Sequence, residues 1–415
     1  MAIDLSTLIA EANAGDMQAQ LQLADLYENG IGVTLDNAQA AHWYRIAGEQ
    51  GSAKAQTHLG QMFIKGVGVA ENYPEAVHWL KLAAAQNEPS AQASLAWCYQ
   101  QGLGVTKNLT EAFQYYRKAA EQGHAAARYN LGYMYAHGYG VDRDDAEAVK
   151  WFAKAAQQGH SKAQLSVGLV HAQGIGTAKN HTEAAKWYLE AARQGYAKAQ
   201  YNLALMYAGG QGVPQDDQET YKWLKKAADQ GYARAEFDLG LLYINGLGVN
   251  QNYQEAFAWF KKAAKQNYAK AYYQIGKLHA AGLGTMKDET EAANNYQIAA
   301  DSGYARAQYR LGRLYDSGQG VKIDHVTAAE WYKKAARQGY TKAQYVLGVH
   351  YAKGKGVTRN FIKAYAWLYF AKKSGNPQIN EVLNKIETRL SNEEIIEAKR
   401  LAQSWQEEFG ISQCL

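Results

Sequence analysis

Residues 118–141 read KAAEQGHAAARYNLGYMYAHGYGV, and this stretch decides how the whole chain is organised. It ends in Gly138-Tyr139-Gly140, and Gly-x-Gly recurs ten times along the sequence, always 36 residues apart. The first glycines of the ten motifs are Gly30, Gly66, Gly102, Gly138, Gly174, Gly210, Gly246, Gly282, Gly318 and Gly354. A fixed period of this length, without an insertion, predicts an array of like structural units.

The first half of each unit has the pattern of an amphipathic helix. We number the unit positions from 1, starting at residue 15 and then every 36 residues up to 339. Position 1 is Gly except at Asn87 and Asn267, and both residue types adopt the left-handed conformation that ends a helix. Ala at position 5, an aliphatic residue at 9, Gly or Ala at 10 and a ring at 13 follow helical spacing. The pattern predicts a first helix over about positions 3 to 14.

A second helix is predicted to begin after the Gly-x-Gly motif. Position 22 is Asp or Asn in every unit, and Glu follows three residues later in seven of the ten. This is the pattern of a capping box at a helix start. Ala at position 26, Trp at 29 and Ala at 33 form the buried stripe, and Trp fills position 29 in eight units. These residues are Trp43, Trp79, Trp151, Trp187, Trp223, Trp259, Trp331 and Trp367.

One helix pair cannot bury both stripes, whereas stacked neighbours can. The sequence therefore predicts an all-α fold, an α/α superhelical solenoid of about ten 36-residue helix-turn-helix repeats. We expect a capping helix in residues 1–14, ten repeats in 15–374, and capping helices with a short tail in 375–415. Ser391 to Glu394 reads as a capping box, and Ile395, Ala398, Leu401 and Trp405 should cover the open end of the stack.

Composition excludes several classes of protein. The net charge is +5, too mild for a nucleic-acid binder, but it is uneven: residues 1–200 carry −2 (16 basic, 18 acidic) and 201–415 carry +7 (28 basic, 21 acidic). Of two cysteines, Cys98 falls on an apolar helix position and Cys414 in the tail, so no disulfide is expected. No signal peptide or membrane span is visible. A cytoplasmic location is the default, and a periplasmic or secreted one remains open if a leader was removed.

The repeating unit resembles a known family. Lys118 to Gly123 and Gly138 to Val141 closely match the Sel1-like repeat, a relative of the tetratricopeptide repeat, and the resemblance covers about residues 15–374. It implies adaptor and scaffold roles, which differ between members. The cysteine pairs of one bacterial subgroup are missing here.

The sequence predicts neither an enzyme nor a cofactor or metal site. No Gly-x-Gly continues into a phosphate-binding motif, so these glycines read as turn residues. No histidines or cysteines have metal-ligand spacing. His171 and His279 replace a core Tyr, so we expect hydrogen-bonded, buried imidazoles. Acidic pairs such as Asp144 and Asp145 read as helix caps.

The predicted binding site lies on the first helices. By analogy with the tetratricopeptide repeat, positions 4, 7, 11 and 14 would line a concave groove. Position 11 is the most variable of these positions. It is apolar in five consecutive repeats and is Lys or Arg in the next two. Position 7, which is mostly aromatic in the C-terminal repeats, lies beside it. Packing between neighbouring repeats is the competing explanation. The predicted site residues are Trp97, Tyr133, Leu169, Leu205, Leu241, Tyr273, Lys277, Tyr309 and Arg313.

These features predict a scaffold that binds another protein or peptide along this groove, and the basic C-terminal half favours an acidic one. The residues leave a second interpretation open: an immunity protein that neutralises a cognate toxin, resembling the Sel1-like partners of some bacterial secreted toxins. The ends of the stack could also pair two copies into a homo-dimer.

Overall fold

The computed structural model describes residues 5–372 and 377–409, and these residues contain 23 α-helices and no strand. Within each of the repeats 1 to 5 and 7 to 10, the first helix packs on the second, and the second helix packs on the first helix of the next repeat in the same run. The expected α/α solenoid of ten helix pairs is confirmed.

Each repeat holds a first helix and a second helix. The first helices are α2 (Met17–Asn29), α4 (Ala53–Lys65), α6 (Pro89–Gln101), α8 (Ala125–His137), α10 (Ser161–Gln173), α12 (Ala197–Gly209), α14 (Ala233–Asn245), α16 (Ala269–Ala281), α18 (Ala305–Ser317) and α20 (Thr341–Lys353). The second helices are α3 (Asn37–Glu49), α5 (Tyr73–Ala85), α7 (Leu109–Glu121), α9 (Asp145–Gln157), α11 (His181–Arg193), α13 (Asp217–Asp229), α15 (Tyr253–Lys265), α17 (Glu289–Asp301), α19 (His325–Arg337) and α21 (Phe361–Lys372). The remaining helices are α1 (Leu5–Asn13), α22 (Pro377–Glu387) and α23 (Asn392–Phe409).

The chain separates into two compact units. The N-terminal unit comprises Met1–Ala199 and Gly210–Pro214, and the C-terminal unit comprises Gln200–Gly209 and Gln215–Leu415. Repeats 1 to 5 therefore belong to the N-terminal unit and repeats 7 to 10 to the C-terminal unit, while repeat 6 contributes to both. The two units are described separately below.

The helix ends form where the sequence predicts them. Asn87 and Asn267, which replace Gly at position 1, have φ of 62° and 59°, in the left-handed region. The Asx side chain at position 22 accepts a backbone hydrogen bond at the start of the second helix, as Asn108 does from the N–H of Glu111 at 3.0 Å.

The capping box is only half formed at these second helices. The N–H of Asn108 donates to the carbonyl oxygen of Tyr99 at the end of the first helix, over 2.9 Å, and so does not need the Glu side chain. The same bond joins positions 22 and 13 in the other described repeats, for example Asp144 to Tyr135. Three of the seven Glu residues form salt bridges on the helix surface instead: Glu147 with Lys150, Glu183 with Lys186 and Glu219 with Lys222. The turn between the two helices is thus closed by the backbone.

Glycine at position 10 lets the two helices of one repeat approach closely. A Cβ at Gly132 would lie 2.8 Å from a ring carbon of Phe152, and one at Gly168 would lie 2.4 Å from Tyr188. Phe152 and Tyr188 both occupy position 30 of the second helix. The close contact that the sequence predicted at position 10 is therefore made with a large buried side chain of the same repeat.

The second glycine of each Gly-x-Gly joins neighbouring repeats. A Cβ at Gly140 would lie 2.1 Å from the carbonyl oxygen of Leu109, the first residue of the preceding second helix. Gly68, Gly104 and Gly176 meet the preceding repeat in the same way. These glycines are turn residues, as predicted, and they also permit repeat-to-repeat contact.

Terminal helices pack on both the first and the last repeat. Cys98 is fully buried, as expected, whereas Cys414 lies outside the described residues. At the C-terminal end, Ser391 Oγ accepts from the N–H of Glu394 at 3.2 Å and Glu394 Oε2 accepts from the N–H of Ser391 at 2.8 Å, so this predicted capping box is complete. The helix it opens, α23, stacks Trp405 on Trp367 of α21 with ring centroids 4.5 Å apart.

Candidate functional site

The first helices present positions 4, 7 and 11 on one side, because these positions are three or four residues apart. We call this side the first-helix face. It lies opposite the stripe of positions 5, 9 and 12, which is buried in every repeat of the described chain except at the half-buried Val170. The face is therefore where residues can vary between repeats without disturbing the core.

In the N-terminal unit, the predicted site residues lie at equivalent places on α6, α8 and α10. Trp97, Tyr133 and Leu169 are each half-buried. Trp97 packs against the clusters formed by repeats 2 to 4, and Tyr133 packs against the cluster of repeats 4 and 5. The ring of Tyr133 also lies 4.1 Å from that of His137, one turn further along α8. Each side chain thus both supports the packing between repeats and reaches the surface.

A cavity of about 360 Å³ opens on the first-helix face beside Trp97. Ile64, Ala93 and Ala126 give it apolar walls. Polar atoms lie at its rim, where Gln61 Nε2 donates to Ser94 Oγ over 3.2 Å. The arrangement can accept an apolar group that carries a polar end.

In the C-terminal unit, the aliphatic part of the predicted site is uneven. Leu205 is 45% exposed, while Leu241 is half-buried. An exposed leucine needs no explanation by itself. Of the five apolar residues that the sequence places at position 11, one leucine is thus exposed and four side chains are half-buried.

The predicted tyrosines pack between repeats. The ring centroid of Tyr273 lies 5.6 Å from that of Tyr296 in the same repeat and 5.3 Å from that of Tyr304 in the next. Tyr309 is held in the same way between Tyr332 and Tyr340. Both tyrosines remain half-buried on the first-helix face. The packing explanation given above for position 7 therefore applies to them, alongside any role in binding.

The predicted cations Lys277 and Arg313 are exposed and belong to a larger basic cluster. The helices α16, α18 and α20 carry seven Lys and Arg residues and one acidic residue, Asp316. None of the seven cations has a carboxylate within 4.0 Å in residues 5–372 and 377–409. Lys353 ends α20, and the other six lie at positions 4, 8 and 11; they are Lys270, Lys277, Arg306, Arg310, Arg313 and Lys342. We call them the basic cluster.

Asp316 is already neutralised by other groups. Its carboxylate lies 2.9 Å from Lys355 Nζ, 2.9 Å from His325 Nδ1 and 3.3 Å from His350 Nε2. Burial acts to raise the pKa of Asp316, but the hydrogen bond from the Lys355 ammonium and the charge of His350 outweigh it, so that the pKa lies below its usual value. The one acidic residue on these helices therefore does not offset the basic cluster.

A second cavity, of about 580 Å³, opens on the same face of the C-terminal unit. Tyr309, Arg313, Lys342 and Tyr345 line it, and α22 closes one side through Gln378 and Ile379. Its cations and rings suit a partner segment with both carboxylate and apolar groups.

Asp238, on helix α14 of the same unit, has a raised pKa, whereas that of Asp316 is lowered. Asp238 accepts a hydrogen bond from the hydroxyl of Tyr201 over 2.9 Å. Burial raises the pKa of Asp238, while Tyr201, Lys270 and Arg234 act in the opposite direction. The carboxyl group of Asp238 thus makes its contacts within the protein.

Sequence reasoning missed the partners of these side chains on other elements. The rings at positions 2 and 30, such as Tyr304 and Tyr296, hold the position 7 rings in place, and their regular recurrence in the sequence was a usable signal. His124 and His160 at position 2 cap their helices: His160 Nδ1 accepts from the N–H of Ala163 over 3.2 Å.

The remaining predictions about chemistry concern histidines and metals. Nδ1 of His171 and of His279 is buried and has no hydrogen-bond partner among the described residues, so the expected hydrogen bonding is not seen at that atom. Within residues 5–372 and 377–409, no group of His, Cys, Asp and Glu side chains could hold a metal ion. Over the same residues, no helix is both long and apolar enough to cross a membrane.

Comparison with family models gives a match over almost the whole repeat array. The model described as Sel1 repeat matches ten consecutive segments: 18–52, 53–88, 89–124, 125–160, 161–196, 197–232, 233–268, 269–304, 305–340 and 341–376. No curated protein matches the chain with significance.

Two solved structures resemble the chain over most of its length. One, c5321, is described as a protective antigen present in uropathogenic Escherichia coli strains; it is 32% identical, with 98% of this chain and 95% of that one covered and a TM-score of 0.66. Another is a Sel1 repeat protein from Oxalobacter formigenes, 31% identical, with 83% and 89% covered and a TM-score of 0.59. Both are bacterial repeat proteins of similar length to this chain.

A third similar structure is an immunity protein, Pa5087 from Pseudomonas aeruginosa. It is 22% identical, with 53% of this chain and 81% of that one covered and a TM-score of 0.33. A likeness this low gives no support to an immunity function for this chain.

Proposed function

The chain belongs to the Sel1 repeat family, and from that membership we propose that it is a non-enzymatic scaffold whose first-helix face binds another protein or a peptide. Sel1 repeat proteins are protein-interaction scaffolds, and a fold of this kind is typically non-catalytic. In the N-terminal unit, Trp97, Tyr133 and Leu169 would make apolar contacts. In the C-terminal unit, Leu205 and Leu241 would do the same, and Tyr273, Lys277, Tyr309 and Arg313 would bind an acidic segment.

The observation that carries the proposal is the basic cluster. Six cations on three neighbouring first helices have no carboxylate partner in the described chain, and the cavity between two of these helices is lined by Arg313 and Lys342. Unpaired cations on a face that also presents tyrosine rings favour a partner with carboxylates, because charge-assisted hydrogen bonds to Arg are strong and directional.

The contacts that each residue already makes in the repeat array determine how it can contribute to binding of the partner. Tyr273 and Tyr309 are already held by neighbouring rings, so that little conformational entropy is lost when a partner binds them. Lys277 and Arg313 are exposed, so they would act mainly on the rate and salt dependence of association.

The proposal is tested by affinity capture of partners from an extract of the source cells, with mass spectrometry to identify them. The double variant Trp97→Ala, Arg313→Glu should lose the partner that the unaltered chain retains. The matched control is Leu82→Ala, Lys265→Glu, which changes an exposed leucine and an exposed lysine on second helices.

Circular dichroism checks that both double variants keep their helix content. Equal retention of the partner by both variants would contradict the assignment of the first-helix face. Retention of nucleic acid in place of protein, released by nuclease, would contradict the proposed class of partner.

A further inference from the structure

The repeats themselves show what normally fills one particular place on the first-helix face. In four repeats, the ring at position 7 lies between the ring at position 30 of the same repeat and the ring at position 2 of the next. The centroid distances are 5.7 and 5.0 Å for Tyr129 with Phe152 and His160, 5.6 and 5.2 Å for Phe237 with Phe260 and Tyr268, 5.6 and 5.3 Å for Tyr273 with Tyr296 and Tyr304, and 5.9 and 5.3 Å for Tyr309 with Tyr332 and Tyr340.

Repeat 3 keeps the two outer rings and lacks the middle one. Its position 30 is Tyr116 and the next position 2 is His124, but position 7 is Ala93. Tyr116, His124 and Ala93 all line the cavity of about 360 Å³ beside Trp97. The cavity therefore lies where a ring stands in the four other repeats.

Neighbouring positions keep this place open. Position 4 is Ser90 in repeat 3 and Ala126 in repeat 4, whereas it is Lys or Arg in every later repeat. Ser90, Ala93 and Ser94 are half-exposed, so the cavity is reached from the surface. Repeat 2 also lacks a ring at position 7, where it has Thr57, but its flanking residues are Leu80 and Glu88. Repeat 5 has outer rings at Tyr188 and Tyr196, but the buried side chain of Leu165 occupies its position 7. Repeat 3 alone combines two outer rings with a residue as small as Ala at position 7.

We propose that this cavity is a binding slot for one aromatic side chain of the partner, which takes the place that Tyr273 or Tyr309 fills in its own repeat. The inference rests on the proposed function and names the chemistry of one contact. Tyr116 and His124 would stack on the incoming ring and Trp97 would form the outer wall. Aromatic pairs at this separation contribute beyond the area that they bury.

The polar atoms of the slot are compatible with a neutral aromatic ring. Tyr116 is almost fully buried and its hydroxyl donates to Gln100 over 3.1 Å. His124 Nδ1 accepts from the N–H of Ala127 over 3.1 Å, and burial lowers the pKa of His124, so that the ring is neutral near pH 7. The one charged side chain of the lining, Lys65, is exposed, so the buried polar groups that a phenyl or phenol ring meets already have partners.

The first experiment uses phenol as the probe, with cyclohexanol as the non-aromatic control of the same size. Ligand-observed NMR should give a phenol dissociation constant on the order of 1 mM, and cyclohexanol should bind about fivefold more weakly. The variant Ala93→Tyr supplies the missing ring from the chain itself and should abolish phenol binding. If this variant does not fold, Ala93→Leu tests the same point, since Leu21 and Leu165 occupy position 7 in repeats 1 and 5.

The converse variant opens a new slot. Tyr273→Ala leaves Tyr296 and Tyr304 without their middle ring, and should add a second phenol site to the folded protein. Phenol binding that is unchanged by Ala93→Tyr, or equal affinity for phenol and cyclohexanol, would overturn the proposal.

The affinity of the captured partner for two variants then distinguishes failure of the slot from failure of the proposed function. Ala93→Tyr should weaken the partner about thirtyfold, the loss typical of a buried aromatic anchor. If Arg313→Glu weakens the partner while Ala93→Tyr leaves its affinity unchanged, the proposed function stands and the slot is rejected. If neither variant weakens it, both are rejected.

Discussion

The side-chain amide of Gln194 donates a 2.8 Å hydrogen bond from Nε2 to Oε1 of Gln164. Gln194 follows α11 and Gln164 lies in α10, so the bond ties the end of a second helix to the first helix of its own repeat. Gln164 Nε2 donates in turn to the carbonyl oxygen of Ala156 in the preceding repeat, over 3.3 Å. Equivalent glutamine pairs link positions 36 and 6 in five other repeats.

The first prediction concerns this bridge. Gln164→Ala removes a buried amide that satisfies both Gln194 and the carbonyl of Ala156, and it should destabilise the fold by about 1–3 kcal/mol. The measurement is the urea midpoint of unfolding, with Gln157→Ala as control because Gln157 is exposed on α9. Equal midpoints for the two variants would show that the bridge does not stabilise the fold.

The second prediction concerns glycines that have positive φ. It separates the cost of an unfavourable backbone conformation from the cost of steric overlap with the preceding repeat. Gly159 has φ of 86° and open space around it, so Gly159→Ala should cost about 1–2 kcal/mol from backbone conformation alone. Gly140 has φ of 69°, and its Cβ would lie 2.1 Å from the carbonyl oxygen of Leu109, so Gly140→Ala should cost at least about 2 kcal/mol more.

Thermal and urea unfolding of both glycine variants provide the comparison. If Gly140→Ala were no more destabilising than Gly159→Ala, the loop would not depend on close approach to the preceding repeat.

The third prediction is a pH dependence of stability in the N-terminal unit. Burial lowers the pKa of His160, and Lys162 and His124 act in the same direction. The unfolded chain takes up the proton with a pKa of about 6.5, whereas the folded chain resists it. The stability from this group is therefore present above about pH 6.5 and is lost as the pH falls below it.

Protonation would also break the helix cap, because Nδ1 of His160 accepts from the N–H of Ala163. His160→Ser keeps a cap of the kind that Ser52 provides in repeat 2, and it does not titrate. The variant lacks the stacking of His160 on Tyr129, so it should melt lower at pH 7.5. Its melting temperature should nevertheless fall less between pH 7.5 and about pH 5.5 than that of the unaltered chain. Parallel curves would rule out His160 as the source of acid sensitivity.

The features that could be predicted from the sequence are those set within one repeat. Helix starts at Asn108 and its equivalents, and the left-handed ends at Asn87 and Asn267, depend on local backbone chemistry, so the residue types determine them. Contacts between repeats were not predicted, because they depend on which side chains the packing brings together. The hydrogen bond from Gln164 to the carbonyl oxygen of Ala156 and the approach of Gly140 to Leu109 are of this second kind.

In the candidate site too, the residue types could be predicted from the sequence, whereas their exposure and contacts could not. The variable position 11 was evident from the sequence, but its exposure was not, since Trp97 is half-buried beside a cavity while Leu205 is exposed. The cavity exists because position 7 in the same repeat is Ala93, and this matters only when Tyr116 and His124 are known to face it. The nine predicted site residues remain a proposal for the binding experiments.

The last prediction concerns the basic cluster. If it binds an acidic segment, the affinity of the captured partner should fall as salt rises from about 50 to 300 mM, because exposed charges are screened over about 10 Å. The double variant Lys277→Glu, Arg313→Glu should weaken binding of the partner at least about tenfold at low salt and flatten the salt dependence.

The control variant Lys261→Glu, Lys265→Glu makes the same change in net charge on the second helix α15 and should have little effect on binding, which separates local from overall charge. Calorimetric titrations of the three proteins provide the comparison. An affinity that is insensitive to salt, or equally reduced by both double variants, would show that the cluster does not recognise the partner.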